Sequence, residues 1–296
     1  MTRAMKDWCI GVLGGSGLYE LPELVDPRWI AVGTPWGPPS DDVLVGTISG
    51  RRFAFLPRHG RGHRIAPHRV NYRANIDALK RVGATDVLAV SAVGSLREEL
   101  APGHFVAVNQ FVDRTQGRAS SFFGDGVVAH VSMADPVCER LSGLAVAAAE
   151  QAGAIVHKAG TYVAMEGPQF STRAESRLYR EWHCDVIGMT AMPEAKLARE
   201  AELPYALIGM VTDYDCWRQD QAVVEVANVL AVLKDNAQRA ARMVAAFAAG
   251  LQDHRPDSPL DTVLDFAIVT AAEKRVPEAM AKLDAVCGRV LRSAQG

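Results

Sequence analysis

The sequence is poor in the features that would place it in a specialised class. No stretch approaches the roughly 18 uninterrupted apolar residues of a membrane-spanning helix. The apolar run behind Asp7 in MTRAMKDWCIGVLGG is too short for a signal-peptide core. The five cysteines (Cys9, Cys138, Cys184, Cys216, Cys287) lie far apart with no C-x-x-C pair. That argues against a disulfide framework or a cysteine-rich zinc site and fits reduced thiols. A net charge of −2 gives no global attraction to nucleic acid or an anionic membrane. Internal repeats and low-complexity tracts are absent. The expectation is a cytoplasmic chain with no nucleic-acid or membrane partner.

What remains is an ordinary globular composition: 296 residues, 49% hydrophobic and 22% charged. Short apolar runs alternate with helical patterns. Strands are expected at Ile10 to Leu13, Arg52 to Leu56, Val87 to Val90, Val106 to Val112, Val186 to Met189 and Tyr205 to Val211. Helices are expected from Tyr72 to Val82, from Pro136 to about Gly153, from a capping box at Thr172 to Glu175, from Pro193 to Glu200, and from Gln221 to Leu251. This is the pattern of a single α/β domain, with a parallel or mixed sheet and helices on both faces. We place that domain at residues 1–252. The stretch from Asp253 to Pro259 reads as a linker, and 253–296 as a helical extension packing on the same domain or on a neighbouring subunit.

Five segments carry residues suited to chemistry. Gly14-Gly15-Ser16-Gly17 follows the first strand and would let backbone N–H groups approach an anion; a tight turn explains it equally well. It matches neither the dinucleotide nor the P-loop spacing. Arg58 to Arg73 crowds five arginines and three histidines among glycines, which favours a small anion. A solvated basic loop is the alternative; zinc is disfavoured because no carboxylate or thiolate sits at ligand spacing. Ser91-Ala92-Val93-Gly94 reads as a small-residue turn at a strand's carboxyl end, where ligands of open α/β sheets bind. Phe170, in Glu166-Gly167-Pro168-Gln169-Phe170, suits either stacking on a heterocycle or the core. Asp213 and Asp215 end a buried strand and share a face if strand geometry persists. Repulsion between close carboxylates can keep one protonated, which suits the N7 acceptor and N6 donor of adenine. A solvated D-x-D turn is the competing reading.

Taken together, G-G-S-G-L, R-H-G-R-G-H, N-Y-R-A-N-I, A-V-G-S-L-R, E-G-P-Q-F-S-T-R-A-E, M-T-A-M-P-E and T-D-Y-D-C-W resemble the 5′-methylthioadenosine phosphorylases of the trimeric purine nucleoside phosphorylase family, from Ile10 to about Ala248. The resemblance implies a single domain with a central mixed β-sheet flanked by helices, and active sites at subunit interfaces of a homotrimer or homohexamer. It implies phosphorolysis of methylthioadenosine, with inorganic phosphate as co-substrate and neither metal nor organic cofactor. Phosphate would be held by Ser16, Arg58, His59, Ser91, Ala92 and Thr190. Met189 would lie against the ribose and Phe170 against the purine or sugar, with Ala92 also lining the substrate. Asp213 would donate to N7 and Asp215 accept from the 6-amino group. Ser171, Val226, Val229 and Leu230 would shape specificity, and His130 would reach a neighbouring subunit's site. Ser16 and Ser91 replace the threonines of eukaryotic members, Val93 replaces a cysteine, and Cys287 stands alone where thermophilic members carry a pair. The tail from Leu264 to Thr270 is similar to bacterial and archaeal tails that help close the 5′ pocket. The rivals are a phosphorylase acting on methylthioinosine or ordinary purine nucleosides, a nucleoside hydrolase, and a non-catalytic purine- or nucleic-acid-binding protein.

Overall fold

The computed structural model describes residues 7–15, 17–218 and 226–293, with the side chains of 226–231 and 292–293 left outside the description. Among the described residues eleven strands form one mixed sheet: β1 (Cys9–Gly14), β2 (Val25–Ile30), β3 (Val43–Ile48), β4 (Arg51–Pro57), β5 (Asp86–Ser95), β6 (Phe105–Val108), β7 (Gln110–Asp113), β8 (Val156–His157), β9 (Thr161–Ala164), β10 (Val186–Gly188) and β11 (Tyr205–Asp213). The helices are α1 (Tyr72–Arg81), α2 (Glu139–Gln151), α3 (Arg173–Glu181), α4 (Ala191–Glu200), α5 (Val226–Gly250), α6 (Pro277–Lys282) and α7 (Gly288–Ser293).

The central strands are apolar at nearly every position because both faces are covered. Their alternation still sorts side chains. Leu13, Ala54, Leu56, Val87, Ala89 and Leu207 join the core beneath α1 and α4. Ile10, Val12, Phe53, Phe55, Leu88 and Ile208 join the core beneath α2 and α5. The expected α/β architecture is therefore present, with both parallel and antiparallel pairs.

One strand organises the site. β11 runs along one edge of β5 from Val87 to Gly94. On the other edge, β1 pairs parallel up to Ala89 and β10 pairs antiparallel at Gly94 and Ser95. Between these partners β5 has an open edge, and Ser91 and Ala92 lie in that interval. A strand that changes neighbours leaves a crevice where ligands bind in α/β sheets.

Several local expectations are corrected. Ser91 to Gly94 is strand, not turn, because β11 continues to supply ladder bonds to it. The run Val106 to Val112 breaks at Asn109, whose N–H donates to the Gly160 carbonyl at 3.1 Å. Residues 135–138 precede α2 instead of opening it. The Cys138 N–H donates to the Tyr205 carbonyl at 2.7 Å, and the Arg199 guanidinium holds the Ser132 carbonyl at 3.0 Å. The capping box forms as expected: Thr172 Oγ1 accepts from the Glu175 N–H, and Glu175 caps the Thr172 N–H. The segment read as a linker is pinned: Arg255, 4% exposed, pairs with Asp86 and Asp261. Beyond it, Leu264, Ala267, Leu283, Val286 and Cys287 join the core beneath α1 and α4. No helix among the described residues is long and apolar enough to cross a membrane.

Candidate active site

At one end of the crevice lies a buried ion pair. Arg58 follows β4, and its N–H donates to the Gly14 carbonyl at 3.0 Å, tying the ends of β4 and β1. Its side chain is 2% exposed and that of Glu194, on α4, is 1% exposed. Nε donates to Glu194 Oε2 at 2.7 Å and Nη2 to Oε1 at 2.9 Å, while Nη1 and Nη2 also reach the carbonyls of Val90 and Leu13. Tyr205 Oη donates to Glu194 Oε1 at 2.9 Å. Of the five guanidinium N–H groups, four are used, leaving one on Nη1. The bidentate fork of Arg58 is thus taken by Glu194, and a phosphate would meet a single N–H.

Beside this pair, Ser91 Oγ lies 3.2 Å from Thr190 Oγ1, two buried hydroxyls facing each other across the crevice. Ala92 follows on the same strand. Thr190 stands at the start of α4 without capping it, so its hydroxyl remains with Ser91. His59 is held by its own loop, with Nδ1 2.8 Å from the Ile65 carbonyl. Ser16 lies outside the described residues.

The middle of the crevice is built around Met189. A Cβ on Gly167 would sit 2.5 Å from Met189 Sδ, so the Glu166-Gly167-Pro168 loop approaches this closely only because residue 167 is glycine, at φ +68°. Arg118, its side chain 3% exposed, binds the loop to the strand. It donates to Glu166 Oε2 at 3.0 Å, to the Glu166 carbonyl at 2.7 Å and to the Met189 carbonyl at 2.7 Å. Phe170 on the same loop is 53% exposed. That excludes the core alternative and leaves the ring free to stack. Ser171 is half-buried, and its carbonyl accepts from Cys216 Sγ at 3.2 Å, joining this loop to the end of β11.

At the far end stands the carboxylate pair. Strand geometry ends at Asp213, and Asp215 takes a left-handed conformation at φ +51°. The two aspartates therefore meet through a turn and not through a shared strand face: the Asp215 N–H donates to Asp213 Oδ1 at 2.8 Å, an Asx-turn. Asp213 Oδ2 accepts from Thr212 Oγ1 at 2.7 Å. Burial raises the Asp213 carboxyl above its ordinary range, opposed by these two hydrogen bonds. Burial pushes Asp215 further, to about 6; the charge of Asp213 adds to this, while the nearby Ser176 and Ser171 hydroxyls oppose it. Asp215 Oδ2 is buried with no hydrogen-bond partner among the described residues. Accepting two hydrogen bonds favours the ionised form at Asp213, whereas a buried oxygen without a partner among the described residues favours the protonated form at Asp215, which reverses the donor and acceptor roles that the resemblance implies for the two. Gly94 makes room: a Cβ there would lie 3.1 Å from Asp213 Oδ1.

The structure thus brings Arg58, Ser91, Ala92, Thr190, Met189, Asp213 and Asp215 along one crevice. His130 is exposed, and its N–H donates to the Ala267 carbonyl at 2.9 Å, pairing it with the tail. The side chains of Val226, Val229 and Leu230, at the start of α5, lie outside the described residues. Among the described residues no cluster of three or more His, Cys, Asp or Glu could hold a metal ion. Two residues are missing from the sequence candidates. Glu194 lies within M-T-A-M-P-E, and a glutamate among apolar residues is its only signal. Arg118 has none, because its role depends on contacts distant in sequence.

Comparison with known proteins gives the family. Residues 9–249 match the family model of the phosphorylase superfamily. The S-methyl-5′-thioadenosine phosphorylase of Cereibacter sphaeroides is 58% identical over 285 residues, 96% of this chain and 98% of that one. The protein of the same name from Bradyrhizobium diazoefficiens is 53% identical over 294 residues, 99% of this chain and 100% of its own. Among solved structures, a methylthioadenosine phosphorylase from an antarctic soil metagenomic library superposes with a TM-score of 0.90 at 45% identity, covering 95% of this chain and 99% of that one. The methylthioadenosine phosphorylase of Schistosoma mansoni in complex with adenine gives 0.78 at 39% identity, covering 82% and 91%. The chain belongs to the phosphorylase superfamily, alongside the S-methyl-5′-thioadenosine phosphorylases.

Proposed function

We propose that this chain splits 5′-methylthioadenosine with inorganic phosphate, giving adenine and 5-methylthioribose 1-phosphate. The observation that carries this reading is the half-buried Asp213–Asp215 pair at the end of β11, one buried oxygen of which has no hydrogen-bond partner among the described residues. Adenine presents an N7 acceptor beside an N6 donor, and a carboxyl pair holding one proton complements both. A 6-oxopurine would set its O6 against the ionised member.

Phosphate occupies the other end of the crevice, facing the Arg58 N–H, the Ser91 and Thr190 hydroxyls, His59 and the Ser16 loop. As the C1′–N9 bond lengthens, its electron pair passes to the base, whose N7 takes the proton of the carboxyl pair. Positive charge on the ribose is stabilised by hydrogenphosphate below the ring, and an unprotonated phosphate oxygen closes the new C1′–O bond. Adenine leaves neutral, the carboxyl pair is left ionised and the phosphate hydrogen stays on the product. The chemistry calls for no resident cofactor.

Met189 and Phe170 flank ribose and base. Ser171 and the helix start carrying Val226, Val229 and Leu230 bound the 5′ side. An apolar lining leaves a 5′ hydroxyl unpaired at roughly 1–3 kcal/mol, so methylthioadenosine should exceed adenosine about 5- to 150-fold in kcat/KM. The subunits assemble as a cytoplasmic homotrimer or homohexamer, His130 reaching a neighbour's site. Supporting this, Phe266 (99% exposed), Val269 (60%) and Val128 (38%) leave apolar side chains in solvent along the strip where the His130 segment pairs with the tail.

The deciding assay supplies equal concentrations of methylthioadenosine, methylthioinosine and adenosine, with and without phosphate, and identifies the released base. Phosphate-dependent release of adenine, fastest from methylthioadenosine, is expected. Equal release without phosphate would make the protein a hydrolase.

A further inference from the structure

The loop after β4 closes on a single imidazole. The Gly60 N–H donates to the Pro57 carbonyl at 2.9 Å and the His63 N–H to the Gly60 carbonyl at 3.0 Å. Left-handed backbone at Gly60 (φ +71°), Gly62 (φ +78°) and His63 (φ +53°) turns the chain back on itself. Ile65 then meets His59 twice: its N–H donates to the His59 carbonyl at 3.0 Å, and its carbonyl lies 2.8 Å from His59 Nδ1. The space is tight, since a Cβ on Gly60 would stand 2.9 Å from the Ser40 carbonyl. The R-H-G-R-G-H segment therefore acts as a clamp on the His59 ring more than as a basic arm.

The clamp has a chemical consequence. A carbonyl oxygen only accepts, so Nδ1 must carry the hydrogen. The ring also sits where a second proton is disfavoured: burial above all, then the neighbouring Arg58 and the His63 ring stacked at 4.3 Å, push it down to about 4 against the pull of the Ile65 carbonyl. The ring is neutral at neutral pH, and Nε2 presents a lone pair. Rotating the ring to offer an N–H instead would break the bond to Ile65.

We propose that His59, its tautomer locked by Ile65, recognises the hydrogen of the co-substrate: Nε2 accepts from the P–OH of hydrogenphosphate. This rests on the phosphorylase reading and deepens it. The hydrogen bond selects an oxyanion that carries a hydrogen and turns its unprotonated oxygens away from His59, which leaves them available to attack the sugar. Sulfate, a tetrahedral dianion of nearly the same size, carries no hydrogen and would set a lone pair against a lone pair. Losing that one hydrogen bond to a charged partner corresponds to discrimination of roughly 10- to 100-fold.

The test uses the full-length enzyme with methylthioadenosine. The KM of phosphate and of arsenate is measured with the inhibition constant of sulfate competing against phosphate. Arsenate, which also carries a hydrogen at neutral pH, should fall within a few-fold of phosphate, and sulfate should bind about 10- to 100-fold more weakly. In His59→Gln the side-chain amide can turn to donate or to accept, so the sulfate gap should shrink to a few-fold. Sulfate binding as tightly as phosphate to the wild type, or an unchanged gap in the variant, overturns the proposal. A second readout avoids the variant: proton–nitrogen correlation spectra of the wild-type imidazoles should show His59 as the neutral Nδ1–H tautomer both free and with phosphate. A protonated ring in the phosphate-bound protein overturns the proposal while leaving the phosphorylase reading intact. Base release that ignores phosphate removes both.

Discussion

The two ends of the crevice handle buried charge in opposite ways. At the end proposed for phosphate, Arg58 and Glu194 satisfy each other, with Tyr205, Leu13 and Val90 taking up remaining donors and acceptors. At the end proposed for the base, Asp213 and Asp215 stand together with no cation among their hydrogen-bond partners in the described residues, and Asp215 Oδ2 has no hydrogen-bond partner there. A satisfied pair gives shape, because it fixes where one remaining N–H points. An unsatisfied pair holds a proton that ligand chemistry can use. Mutation should therefore be felt at the first end mainly as stability and at the second mainly as turnover.

The largest effect belongs to the base end. Asp213→Ala or Asp215→Ala should cut turnover of methylthioadenosine about 10²- to 10⁴-fold, the usual loss when a general acid is removed. The asparagine variants should in addition shift preference towards 6-oxopurine nucleosides. Steady-state kinetics on both substrate types checks this, and near-normal turnover in both variants would reduce the pair to a turn. Next comes the phosphate end. Glu194→Ala strands the Arg58 guanidinium in the core and should cost about 3–5 kcal/mol in urea unfolding. If Glu194→Ala unfolds like the wild type, the contrast between the ends is wrong.

A pH series sharpens the comparison. Asp215 holds its proton more tightly folded than unfolded, so its contribution is favourable below the ordinary aspartate range near pH 4 and is lost as pH rises through about 6. Asp215→Asn should then be more stable than the wild type at pH 8, on the order of 1–3 kcal/mol, with the gap closing below about pH 4. Denaturant midpoints across that range decide it, and a gap that stays constant with pH breaks the assignment. The smallest effect lies outside the crevice: Thr172→Ala removes a helix cap and should cost about 1 kcal/mol, with the base preference unchanged.

How much of this was legible in the sequence follows from which interactions are local. The apolar runs of β1, β4 and β11 and the Thr172 capping box are written in neighbouring residues, and these elements stand where the sequence placed them. Ser91 to Gly94 resembled a turn because small residues are shared by turns and by strands that must admit a ligand or a carboxylate; only the pairing with β11 distinguishes them. The aspartate pair was visible as a pair, but its turn geometry was not, since it depends on one left-handed residue. The basic cluster after β4 suggested an anion grip, yet the bidentate partner of Arg58 is Glu194, well over a hundred residues away. Polar composition made 253–259 look like a linker, and only the folded chain shows Arg255 reaching Asp86.

That last contact bears on how the protein is made. Asp86 opens β5, the strand on which the crevice is built, and is fully buried between Arg140 and Arg255. During synthesis Arg140 emerges soon after the strand, whereas Arg255 appears only when most of the chain has been translated. Until then a carboxylate at the root of the central strand has one of its two cations missing, and burying it carries a larger desolvation penalty. The tail beyond 252 therefore supplies a counter-charge to the central strand, and a chain cut short before Arg255 would leave Asp86 with Arg140 alone of these two cations.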